Sequence, residues 1–215
     1  MFFNIIYWVI FLDKLKRLFN VDRRVFVFLL GIVIIGVFFG SILPLFLSAD
    51  DKNLVSDYLV SFIDSIDSFN GFCFFKNGFI NNFLFLVLIW VLGVSIIGVV
   101  FVVVLFFYKC FVFGFSISSI IHNYGFKGIL FSFSYVFPHQ VFNLFIFLIM
   151  TSYSLLFSLK LLGYIFKRND FNIRVSFRRY LYVLFWFSIF IVFSVLYEVF
   201  VNPYVLRFVF NLLGM

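Results

Sequence analysis

Long apolar runs separated by short polar stretches set the pattern of this chain. Residues 25–47, VFVFLLGIVIIGVFFGSILPLFL, hold no charge over 23 positions. About 20 apolar residues suffice to carry a helix across the hydrocarbon core. The same reading predicts spans over 83–107, from about 139 to 163, and over 180–201. The stretch 109–137 differs. Apolar pieces at 110–121 and 128–137 flank HNYGFKG, so the span here is predicted to break near 122–127. Broken backbone is tolerated at membrane depth where protein buries it, and a re-entrant pair that never crosses is the alternative. The expected fold class is therefore all-α: a polytopic helical membrane protein of about five transmembrane helices with a broken third span.

The polar stretches have a pattern of their own. MFFNIIYWVIFL (1–12) is too short to span and runs into the basic, amphipathic DKLKRLF, so 1–24 is predicted to lie on the membrane surface. Residues 48–82 are the only sizeable polar region before the bundle. Within them Leu54, Tyr58, Leu59, Phe62, Ile63, Ile66 and Phe69 recur at helical spacing, with Asp57, Asp64 and Asp67 between them. This predicts an amphipathic helix whose apolar stripe (Leu59, Phe62, Ile63, Ile66, Phe69) is a candidate docking face for a partner. The organisation expected is an interfacial segment 1–24, an anchor 25–47, a polar segment 48–82, a bundle 83–201 and a tail 202–215.

Composition sharpens the class. The chain is 65% hydrophobic and 12% charged over 215 residues, whereas a soluble domain carries about 25% charge. Too little polar surface exists to cover a water-soluble globule. The run at 25–47 reads as an uncleaved anchor, because Leu47 spoils a small-x-small cleavage site before Ala49.

Charge placement sets the expected orientation. Residues 1–24 hold five cations against Asp13 and Asp22. The 48–82 stretch holds five aspartates against Lys52 and Lys76. Residues 160–180 hold Lys160, Lys167, Arg168, Arg174, Arg178 and Arg179 against Asp170. Basic loops stay cytoplasmic. The N-terminus and 167–180 are thus expected inside, and 48–82 and the C-terminus outside, with Lys109 read as a further cytoplasmic flank. Anionic membrane lipid accounts for the net charge of +7; no nucleic-acid partner is needed. On this topology Cys73 and Cys110 lie at opposite faces and cannot pair.

Candidate chemistry is sparse. Gly31, Gly36, Gly40, Gly93, Gly98 and Gly114 are candidate helix-packing positions, and the Gly36/Gly40 step permits close approach of another helix, including a second copy of the chain. Glu198 is the one carboxylate inside a predicted span, and is read as reaching the outer interface. That scarcity disfavours carboxylate-coupled transport and two-carboxylate hydrolysis. His122, His139 and two separated cysteines do not make the three ligands of a catalytic zinc, and no other metal or cofactor is expected. No nucleophile–base–orienter set appears, so an enzyme is not expected. Pro138, His139 and Gln140 read as a structural polar break: Pro138 in the first turn of the fourth span, where its missing N–H costs nothing, and His139 as a hydrogen-bonding side chain.

Over 76–166 the sequence resembles the stage II sporulation protein M family. The residues that carry this are NN before a span (81–82), WVLGVSIIG, KCFVFGFSIS, GFKGILFSFSYVFP and FSLKLL, in that order. The resemblance implies a multi-pass protein of the bacterial cell membrane. It implies a non-enzymatic scaffold that anchors D-type and P-type stage II peptidoglycan-degrading partners for septal wall thinning and forespore engulfment. Broader relatives often carry Pro-His-Gly and then Glu near the fourth span. Here Pro138 and His139 match, while Gln140 and Asn143 stand in the other two places. The alternative is a small-molecule or lipid transporter, or the membrane subunit of one, with the broken span lining its path.

Overall fold

The computed structural model describes residues 22–48, 54, 57, 71–95, 97–167, 172–201, 204 and 205. Four long helices are described: α1 Arg23–Phe46, α2 Gly71–Val94, α3 Gly98–Lys167 and α4 Ile173–Phe200. No strand occurs among the described residues. Among the described residues, five stretches are long and apolar enough to cross a membrane: Arg23–Phe46, Phe75–Val94, Gly98–Ser134, Pro138–Phe166 and Ile173–Phe200.

Helix ends follow local chemistry. Asp22 caps α1 by accepting from the Arg24 N–H at 3.0 Å. Asn172 caps α4 by accepting from the Val175 N–H. Both satisfy a first-turn donor that the helix itself leaves open.

The long helix α3 is two arms. At Gly125 the backbone takes φ 57° and ψ −133°, a conformation essentially confined to glycine. The chain then reverses: Gly128 meets the backbone of Ile120 and Ile121, and the Tyr124 and Phe131 rings approach to 6.1 Å. Residues 98–124 form the first arm and 126–167 the second. The break falls inside the predicted interval 122–127.

The second and third spans have different bounds from those expected. The stretch 83–107 is not one helix. The chain turns at Ser95–Gly98, where the Ser95 N–H donates to the Leu92 carbonyl (3.0 Å) and the Gly98 N–H to the Ser95 carbonyl (3.2 Å). Gly98 opens α3, with the Leu92 carbonyl where its side chain would be. Ser158 reaches across from the second arm and donates to the Ser95 carbonyl at 2.8 Å. The turn is made of apolar and small residues, so hydropathy runs straight through it. In consequence the crossing stretch of α2 starts at Phe75, eight positions before the expected 83. Asn82 lies within it, donating to the Gly78 carbonyl at 3.0 Å.

α3 packs against each of the other helices, and α2 packs against α4. α1 runs parallel to the first arm: Gly36 faces Cys110, Gly40 faces Phe111, and Gly114 faces Val37. Ser41 donates to the Val37 carbonyl (2.7 Å) and Ser118 to the Ser41 carbonyl (2.6 Å). The second arm runs parallel to α2, with Phe147 beside Phe85, Ser154 beside Ile89 and Ser158 beside Ser95. It is the most buried span. Among its buried residues, Thr151, Ser152, Ser154 and Ser158 are small and polar beside large apolar ones such as Phe147, Met150 and Phe157; small polar residues suit close helix contact in lipid. The outer faces of α1 and α4 expose Phe28, Ile34, Phe38, Phe185 and Phe193, which lipid tails accommodate and water would not.

These pairings fix what shares a level. Arg23, Arg24, the Ser95–Gly98 turn, Lys160, Arg174, Arg178 and Arg179 lie toward one end. Gly78, His139, Val195 and Glu198 lie toward the other. Lys109 is midway, level with Phe85 and Phe147.

Candidate functional site: a buried charged cluster

Because α3 starts at Gly98, Lys109 lies three turns in, inside the bundle rather than at a membrane face. Its Nζ lies 5.0 Å from the centre of the Phe85 ring and 5.4 Å from that of Phe147. Those rings themselves meet edge to face at 4.9 Å. An ammonium over two ring faces regains part of the stabilisation lost on leaving water. Its neighbour Cys110 is also inside, a free thiol with no exposed surface, packed against Gly36. The expectation that Lys109 and Cys110 sit at the cytoplasmic face is thereby corrected.

One layer toward the far end, His139 and Glu198 meet. His139 Nε2 is 3.6 Å from Glu198 Oε1, with the histidine 5% and the glutamate 29% exposed. The partly exposed glutamate thus also contacts a buried imidazole. Room for it comes from α2: at Gly78 a side chain would meet Val195 and the Glu198 carboxylate. Glu198 also acts electrostatically on Lys109. Residues His139, Asn143 and Phe147 are spaced by four on the second arm and share one helix face. Asn143 lies between the two halves of the cluster, 5% exposed, and its Oδ1 accepts no hydrogen bond.

The family model for stage II sporulation protein M matches residues 25–203. The chain belongs to that family. The match takes in all five membrane-crossing stretches, so this stage II sporulation protein M family member is a multi-pass membrane protein. No curated protein and no solved structure matches it.

The family member's other candidate residues are distributed as follows. Pro138 is half-buried and lies inside the second arm, 12 positions past its start at 126, so it is not the first-turn residue expected; the apolar stretch Pro138–Phe166 begins there, with Gln140 half-buried two positions on. Gly36, Gly40 and Gly114 are occupied by contacts within the chain, so the Gly36/Gly40 step faces α3 and not a second copy. Gly93 faces Ser154 and Tyr180, and Gly31 meets nothing within 4 Å. Leu59, Phe62, Ile63, Ile66 and Phe69 lie outside the described residues. Among the described residues no three His, Cys, Asp or Glu side chains gather as metal ligands.

Lys109 and Glu198 were not among the candidate site residues. The signal for Lys109 was available, since an ionisable residue within an apolar run is a functional-site marker by itself. A span ending at 107 hides that signal, because it puts Lys109 outside the membrane.

Proposed function

We propose that this chain is a non-enzymatic membrane scaffold that anchors peptidoglycan-degrading partners, of the D-type and P-type stage II sporulation classes, for septal wall thinning and engulfment. The observation that carries this reading is the family match across the whole membrane bundle. Arg23, Arg24, Lys160, Arg174, Arg178 and Arg179 are exposed toward one end of the bundle, which supports a cytoplasmic placement of that end. The N-terminus is then inside, and 48–70 and the C-terminus outside, on the side of the cell wall. The amphipathic stripe at 54–69 is the dock in this reading. Replacing Phe62 and Ile66 with Asp abolishes co-purification of the partners; undiminished association rules that stripe out.

A second reading, the membrane subunit of a transport complex, is favoured by one observation: Lys109, His139 and Glu198 lie together inside the bundle. Intramembrane ionisable residues commonly mark ion or substrate pathways. Purified protein in liposomes, assayed for solute-dependent proton flux, distinguishes the two. Flux abolished by Glu198→Gln supports transport, and its absence supports the scaffold.

A further inference from the structure

We infer that His139 and Glu198, with Lys109 as resident counter-charge, form a proton-binding site within the membrane, and that protonation tightens the hold of the second arm of α3 on α4. The ligand is a proton. The inference does not depend on the scaffold reading, since it concerns what the cluster binds and not what the chain recruits.

The geometry supplies the first argument. Among the described residues, the one side chain in ion-pair range of Glu198 is His139, at 3.6 Å. Lys109 is held farther in, on the rings of Phe85 and Phe147. A proton on the imidazole therefore turns the closest contact of the carboxylate from a dipolar one into an ion pair, in surroundings where charge interactions are weakly screened.

Charge counting supplies the second. The charged and titratable groups facing the pair are Lys109 from the first arm of α3, His139 from the second and Glu198 from α4. α2 presents uncharged Gly78 here, and its Lys76 is exposed. The described cations of α1, Arg23 and Arg24, lie at the other end. With His139 neutral the cluster holds one cation and one anion. One added proton makes it singly positive, and the Asn143 Oδ1 acceptor, buried and without a protein donor, lies one turn along the same face to stabilise that charge. Histidine is the side chain that changes charge between about pH 5 and 8.

The site joins two helices where backbone bonding is interrupted or ends. His139 directly follows Pro138, which has no N–H to bond the preceding turn, inside the arm that begins after the reversal at Gly125. Glu198 stands two residues before the end of α4. A contact that strengthens on protonation clamps these two ends together.

The test is thermal unfolding of the full-length chain in detergent micelles, followed by tryptophan emission between about pH 5 and 8. The parent midpoint is expected to be highest at the acidic end and to fall as pH rises through the histidine range. His139→Gln, which still hydrogen-bonds but takes no proton, flattens the profile, as does Glu198→Gln. His122→Gln, at an exposed histidine, keeps the parent slope. A flat parent profile, or a His139→Gln profile with the parent slope, overturns the inference. If Glu198→Gln does not fold, the comparison of His139→Gln with the parent decides alone.

Discussion

The carbonyl oxygen of Phe111 occupies the place a side chain at Gly40 would take, and Cys110 and Phe107 crowd Gly36 in the same way. α1 and the first arm of α3 are thus in backbone contact, closer than any larger residue allows. In lipid, where apolar burial gives helices little reason to associate, such close packing and its weak Cα–H···O contacts hold them together.

Gly40→Leu is expected to push α1 off α3 and lower stability by roughly 1–3 kcal/mol, the range for overpacking. Gly31→Ala, one helix face away with nothing within 4 Å, is expected to be neutral or mildly stabilising. Unfolding midpoints of the two variants in one detergent check this. Equal midpoints would show that the α1 contact contributes nothing.

Tyr180 shares its hydroxyl proton between the Trp90 carbonyl (2.9 Å) and Ser154 Oγ (3.1 Å), while Ser154 donates onward to the Ile89 carbonyl at 2.8 Å. One tyrosine thereby ties α4 to α2 and to the second arm. Its ring also stacks on Phe157 (4.8 Å) and Trp90 (5.5 Å). Tyr180→Phe keeps the stack and loses the bonds, at a cost of about 0.6–1.7 kcal/mol, as for other interhelical hydrogen bonds in membranes. Tyr180→Ala removes both and is expected to cost clearly more. Unfolding in a denaturing detergent titration ranks the two, and the reverse order would contradict this account.

Much of this was legible in the sequence, for identifiable reasons. Five crossings, the break near Gly125 and the family follow from runs of apolar residues and from the order of short motifs, which a single sequence displays. The Ser95–Gly98 turn did not show, because Val94, Ile96 and Ile97 keep hydropathy high across it and a tight turn needs only one or two small residues. That one boundary hid the site. With a helix drawn through 107, Lys109 looked like a loop cation, Cys110 like a surface thiol and His139 like a residue with no titrating partner. The pairing of His139 with Glu198 spans 59 positions and depends on how α4 lies against the second arm, which no local pattern encodes.

Gly125 separates backbone strain from crowding. Its φ is 57°, yet a Cβ there meets nothing within 4 Å. Gly125→Ala therefore introduces only the backbone penalty, of order 1–3 kcal/mol for a residue held in such a region. Limited proteolysis should show faster cleavage near 122–127 in this variant, while cleavage between α3 and α4 stays at the parent rate. An unchanged pattern would mean that the reversal relaxes to a conformation open to alanine.

Lys109 and Glu198 should behave as a coupled pair although they sit beyond ion-pair contact. Glu198 acts electrostatically on Lys109, and neither side chain is fully exposed. Lys109→Met leaves the carboxylate without its resident cation, and Glu198→Gln leaves the ammonium supported by Phe85 and Phe147 alone. Removing one member of a buried pair is costly because the remaining charge is uncompensated, whereas removing both can be nearly neutral. Both single variants are expected to lower the unfolding midpoint, and Lys109→Met/Glu198→Gln to lower it by less than their sum. The coupling expected is about 0.5–3 kcal/mol, the range for residues that share one network. Strict additivity at neutral pH would separate Lys109 from the cluster and leave the His139–Glu198 contact standing by itself.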